Sequence, residues 1–174
     1  TSTWKILDSV QEDPMPWLEL NINSNIGVKP ALVDKMIEKV NNILDNNGIK
    51  SFKLYTSIDT WGPRAEYIRT GLDLSIWERN LDAYLTNTGQ PISFMITFNI
   101  LSVTTFKQLL EKILEWRARY NRYNKSKWPQ MVRFDTPYLK EPLQYDMNIL
   151  PKEQFIIYMD DSLQFIKDNL DDND

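Results

Sequence analysis

The residues best placed to do chemistry lie between Ser51 and Gly71, where the apolar run Phe52 to Ile58 ends in Ser57 and Asp59. A Gly62-Pro63 turn follows, and Arg69 comes ten residues after the aspartate. Strand ends that open into polar loops are where α/β proteins hold ligands. A hydroxyl, a carboxylate and a guanidinium in such a loop can bind a polar ligand through charge-assisted hydrogen bonds. Plainer roles stand beside this one. Asp59 before a Gly-Pro turn also suits a turn former, Arg69 a solvated charge at the start of a helix, and Arg64 competes with Arg69 for any ligand.

Composition narrows the chemistry further. The chain has no cysteine and no histidine among its 174 residues. Disulfide scaffolds, thiolate or imidazole zinc sites and Ser-His-Asp or Cys-His nucleophiles are therefore excluded within it. Acid–base work falls to carboxylates, lysine or tyrosine. With 42% hydrophobic and 25% charged residues, the sequence reads as one ordinary domain with a single core spanning residues 1–174. A net charge of -4 offers no global attraction to nucleic acid or anionic lipid. No apolar run approaches a membrane span and no signal peptide opens the chain, so a cytoplasmic location without membrane contact is expected. Thr1 in place of methionine suggests a segment of a longer protein. Asn124-Lys-Ser126 is a chance glycosylation sequon.

The elements that must position these residues can be read from periodicity. Ser2 to Val10 reads as the end of a helix, stopped at Pro14-Met-Pro16. Trp17 to Asn23 alternates as a strand. Pro30 opens a helix whose apolar positions Leu32, Val33, Met36, Ile37, Val40, Ile43 and Leu44 follow the 3.6-residue period, closed at Asn47-Gly48. A strand over Phe52–Ile58, a helix over Leu74–Leu85 and a strand over Ile92–Phe98 come next. Thr104 or Thr105 caps a long helix through Leu114. Met131–Phe134 forms a fourth strand. Pro151 opens a last helix that dissolves into Asp171–Asp174. Alternating strands and helices predict an α/β fold, a partial TIM-like (β/α) barrel or open sheet with about four parallel β–α units. The linkers 59–73 and 135–150 both follow strands, where long loops are often functional.

The strands also share a property. They finish in Asn25, in Ser57 and Asp59, in Thr97 and Asn99, and in Asp135, all small hydrogen-bonding side chains. In a parallel sheet these ends lie on one edge, so a shared site is predicted there. Helix caps and turns are the competing explanation.

The runs Leu20-Asn-Ile-Asn-Ser-Asn25, Leu54-Tyr-Thr-Ser-Ile-Asp59, Tyr67-Ile-Arg-Thr-Gly71 and Met95-Ile-Thr-Phe-Asn99 resemble, in order and spacing, the middle of a radical S-adenosylmethionine (radical SAM) barrel. The resemblance covers most of residues 1–135 and is greatest to the branch with twitch- or SPASM-type C-terminal cluster domains. It implies that Ser57 and Asp59 face the ribose and methionyl part of S-adenosylmethionine. Arg69 would pair with the methionyl carboxylate, as a guanidinium does well. Thr97 and Asn99 would face cofactor or substrate, with Asn25 and Asp135 completing the rim. The family's 4Fe-4S cluster requires three cysteines, which this chain lacks. The implied function is therefore the central segment of an enzyme that modifies a peptide or small metabolite by a 5′-deoxyadenosyl radical, with this chain alone inactive. The alternative is a non-catalytic half-barrel serving as a binding or interaction module. As a fragment it would leave a sheet edge uncovered, which predicts self-association.

Two charged regions remain. Trp116, Arg117, Arg119, Tyr120, Arg122, Tyr123, Lys125, Lys127 and Trp128 form a basic, aromatic cluster that could stack on unpaired bases, face a peptide, or belong to a helix whose aromatics pack inward. The acidic whole makes nucleic acid the less expected partner. The acidic run from Asp160 to the end reads as a solvated helix terminus without calcium-loop spacing.

Overall fold

The computed structural model describes residues 2–139 and 141–170. The expected dissolution of the last helix at Asp171–Asp174 lies outside the described residues. The chain is an α/β protein whose four strands form one open, all-parallel sheet in the order β1-β2-β3-β4. The strands are β1 (Met15–Asn23), β2 (Ile49–Ser57), β3 (Ile92–Met95) and β4 (Val132–Asp135). The helices are α1 (Ser2–Glu12), α2 (Pro30–Asp45), α3 (Pro63–Ile68), α4 (Leu74–Thr88), α5 (Phe106–Tyr120) and α6 (Ile156–Asp168). Crossovers of one hand between consecutive neighbours send every connecting helix to the same face. The result is a two-layer sheet and helix stack, the arrangement of a partial barrel.

Side-chain alternation along the strands shows which face is covered. On β2, Phe52, Leu54 and Thr56 are buried, while Lys53, Tyr55 and Ser57 between them stay half-exposed. The register aligns Leu54 with Ile92 and Ile92 with Val132, so one face carries a continuous apolar row. Helices α2, α4 and α5 pack on that face. Trp77 from α4 and Trp116 from α5 are fully buried against Phe94, with ring centroids 5.5 and 5.4 Å from it and 5.6 Å from each other. Tilted and edge-on aromatic pairs of this kind add about 0.5–1.5 kcal/mol each beyond the area they bury. The other, open face holds Glu19, Asn21, Lys53, Tyr55, Ser57, Met95, Arg133 and Asp135, all half-exposed or exposed.

Several boundaries differ from expectation. Pro16 lies inside β1 rather than before it. β1 is an edge strand, and two extra residues are accommodated between Met15 and Glu19, so the missing N–H breaks no ladder. The linker after β2 contains the short helix α3, so Arg69 follows a helix instead of opening one. Strand β3 ends at Met95, three residues before Phe98. Its outer side keeps bonding to the β4 chain, through Ile96 N–H to Asp135 O and Phe98 N–H to Pro137 O. On the β2 side, however, the Thr97 N–H donates to the Asp59 carboxylate at 3.1 Å, and the backbone ladder stops. Thr105 occupies the cap of α5 without a capping bond; its hydroxyl lies 2.7 Å from that of Thr60. Pro151 is followed by a single turn of 3-10 helix, and α6 begins at Ile156.

Candidate functional site

A cleft of about 560 Å³ opens beyond the carboxyl ends of β2 and β3, lined by Asp59, Arg69, Thr97, Asn99, Tyr67, Leu101, Leu139 and Tyr145, with Ile68 and Thr70. Asp59 lies two residues past the end of β2 and is 5% exposed. Arg69, at the end of α3, meets it at two points: Nη2 donates to Oδ1 at 3.0 Å, and Nε lies 2.9 Å from Oδ2. The Arg69 side chain remains 27% exposed, so the pair is closed on the protein side and accessible from the cleft. Short α3 is what makes this possible, because its six residues turn the chain back over the strand end. Gly62, at φ +77°, takes the left-handed step that precedes Pro63, which a side chain would strain.

Asn99 is buried and largely committed to its own loop. Its Nδ2 donates to Thr97 O at 2.8 Å and its Oδ1 accepts from Leu101 N at 2.9 Å. It therefore shapes the wall of the cleft. The opposite wall comes from the 135–150 linker. Ile100 N–H donates to Tyr145 O, and Leu139 N–H to Phe98 O. The linker is braced by a bond between the Tyr138 hydroxyl and Asp146, which holds the phenol's pKa above its ordinary value.

Of the seven residues singled out in the sequence, four meet at this cleft. The other three do not line it. Asn25 is exposed and its Oδ1 accepts from Gly27 N at 3.0 Å, forming a local turn. Ser57 and Asp135 share one row of the sheet with Met95, on the open face. Arg64 points elsewhere: its Nη1 donates to Leu101 O at 3.2 Å, and it lines a neighbouring hollow with Trp61, Tyr67 and Gln108. Tyr67, Leu101, Leu139 and Tyr145 went unremarked as site residues. Tyr67 sits within the 51–71 segment and Tyr145 within the second long linker, so loop length was the available signal.

A more apolar hollow of about 450 Å³ lies between α5, β4 and α6. No carboxylate or hydroxyl side chain lines it, so it offers little to a polar reaction. The basic, aromatic cluster is divided by the fold. Trp116 and Tyr120 are core residues, and Arg119 pairs with Asp82 at 3.2 Å on the helical side. Lys125, Lys127 and Trp128 lie instead over the open face of the sheet.

Among the described residues no group of three or more Asp, Glu, Cys or His converges as a metal site, and no helix is long and apolar enough to cross a membrane. No family model matches the chain, and neither does any curated protein or solved structure.

Proposed function

We propose that this chain is the central segment of a radical SAM-type enzyme core and contributes the ribose and methionyl contacts of an S-adenosylmethionine pocket. The observation that carries the reading is the Asp59–Arg69 pair at the mouth of a cleft bounded by Thr97 and Asn99. The donor set suits the ligand. A guanidinium with an exposed edge takes an amino-acid carboxylate, a fixed carboxylate takes ribose hydroxyls, and the Thr97 hydroxyl adds an adaptable donor or acceptor. In this reading Arg69 anchors the methionyl end. Asp59 holds the guanidinium in place while sharing its oxygens with the sugar, and Leu101, Leu139 and Tyr145 exclude water.

The same test fails for an iron–sulfur cluster. A cysteine-free chain has no thiolate to ligate iron. What the chain's own residues can do is bind and orient.

A second reading has its own support, because Asp59, Thr97 and Asn99 already satisfy one another. The cleft would then be a loop junction in a non-catalytic module. Amide NMR of the 174-residue chain, titrated with S-adenosylmethionine to millimolar concentration, separates the two. The first reading expects saturable shifts at Thr97, Asn99 and their neighbours. Arg69→Ala should weaken the affinity roughly 10- to 100-fold, the worth of one charge-assisted contact. Flat titrations, or equal binding by the variant, would leave the module.

A further inference from the structure

The opposite end of the strands carries a feature that the S-adenosylmethionine reading does not use. On the open face, near the start of β2 and β3, Glu19, Asn21, Lys50, Ser51, Lys53, Tyr55, Lys125, Lys127 and Trp128 surround a hollow of about 450 Å³. Trp128 forms its wall. The Arg133 guanidinium lies 4.4 Å from the Trp128 ring centroid, and Lys53 and Lys127 each lie 5.5 Å from it. Lys53 is also 4.6 Å from the Tyr55 ring.

Four lysines, Lys50, Lys53, Lys125 and Lys127, therefore line the hollow with one carboxylate, Glu19, and Arg133 meets the Trp128 ring from the neighbouring hollow beside α5. Glu19 is already shared by Lys50 at 2.7 Å and Lys127 at 3.4 Å. Lys53 and Arg133 are half-buried, and among the described residues neither meets a carboxylate. Aromatic faces attract a cation but bring no neutralising charge. Partly desolvated cations without a countercharge are costly, and an anion beside Trp128 offsets that cost.

The loop that supplies the rest is held in place. Asn124 Nδ2 donates to Trp128 O at 2.6 Å, while Ser126 N and Oγ both donate to Asn124 Oδ1. Lys125 N–H donates to Gly89 O at 3.0 Å. A Cβ at position 89 would stand 2.6 Å from Tyr123 O, so glycine permits this close approach.

We propose that this end of the open face binds a small ligand carrying a diphosphate group. Four lysines lining the hollow, with Arg133 against the Trp128 ring, supply charge for two phosphoryl groups, Ser51 and Asn21 add hydrogen-bonding side chains, and the hollow has small-molecule dimensions. The net charge of -4 on the whole chain disfavours a nucleic-acid strand running past it.

Isothermal calorimetry of the 174-residue chain with pyrophosphate and with ADP tests this. Saturable binding that weakens as salt rises is expected for both. Lys53→Ala with Arg133→Ala should weaken it roughly 10- to 100-fold, Lys53→Arg should retain it, and Lys5→Ala should leave it unchanged. Lys125→Glu, at an exposed position, serves as the second variant if the double substitution fails a near-UV circular dichroism check. An ADP advantage erased by Trp128→Ala identifies a nucleotide; equal affinities identify the diphosphate alone. Absence of saturable binding, indifference to these substitutions, or binding of hexaglutamate in place of diphosphate overturns the proposal.

Discussion

At the scale of single residues, Asp59 does the most. One carboxylate holds Arg69 at two points and takes the Thr97 amide, so it ends a strand ladder and fixes a cation at once. Asp59→Ala strands a buried N–H and frees the guanidinium. It should destabilise the fold by about 1–3 kcal/mol, lowering Tm by roughly 2–12 °C. Asp59→Asn keeps an acceptor for Thr97 and should lose less than half as much. Thermal unfolding followed by circular dichroism reads the difference, and equal losses would mean that the ion pair accounts for the whole effect and the Thr97 amide bond for none of it. That Asp59 and Arg69 lie beyond the end of a strand was legible, because an apolar run meeting polar residues and Gly-Pro has few other solutions. That Arg69 turns back onto Asp59 was not. It depends on α3, whose six residues carry too little periodicity to announce a helix.

At the scale of elements, periodicity succeeded where burial is one-sided. The α2 residues Val33, Met36, Ile37, Val40 and Ile43 are buried as their spacing predicts, while Leu32 of the same set is 47% exposed and Leu44 only partly buried. It failed at Ile96–Phe98, where an apolar run continues but Asp59's side chain has replaced the neighbouring backbone as acceptor. Helix α4 illustrates an end that local chemistry determines. Asp73 accepts from Ser75 N and Ile76 N at its N-terminus, and Gly89 closes it in the left-handed conformation. The Ser75 hydroxyl bond, followed by the Ile76 amide bond, holds the Asp73 carboxyl below its ordinary pKa. A carboxyl depressed in the folded state stabilises the fold above its unfolded pKa, and that contribution fades as pH falls through the lower folded value. Tm measured from pH 6 down to about pH 3 should therefore fall less steeply in Asp73→Ala than in the parent chain. Parallel acid limbs would show that the cap does not titrate with folding. Asp34, held low by Arg79, follows the same sign and should be left intact as the internal comparison.

At the scale of the whole molecule, the sheet separates two charge environments that composition averages away. A net charge of -4 conceals five cations at one end of the open face and a single paired arginine in the cleft at the other. Both lie on or beyond the same strand: Lys53 and Ser57 are four residues apart, about 13 Å along β2, and the cleft begins past Ser57. Groups this far apart without shared partners act independently. The two ligands differ in chemistry as well, since S-adenosylmethionine carries a sulfonium and a carboxylate but no phosphate. Substitutions should therefore dissociate the sites. Arg69→Ala should weaken S-adenosylmethionine binding and leave pyrophosphate affinity within about twofold, while Lys53→Ala with Arg133→Ala should do the reverse. Saturating one ligand should likewise leave the other's calorimetric affinity unchanged. If both ligands instead respond to the same substitutions, or compete, a single anion-attracting surface explains both, and the assignment of the cleft to one ligand and the basic end to another fails.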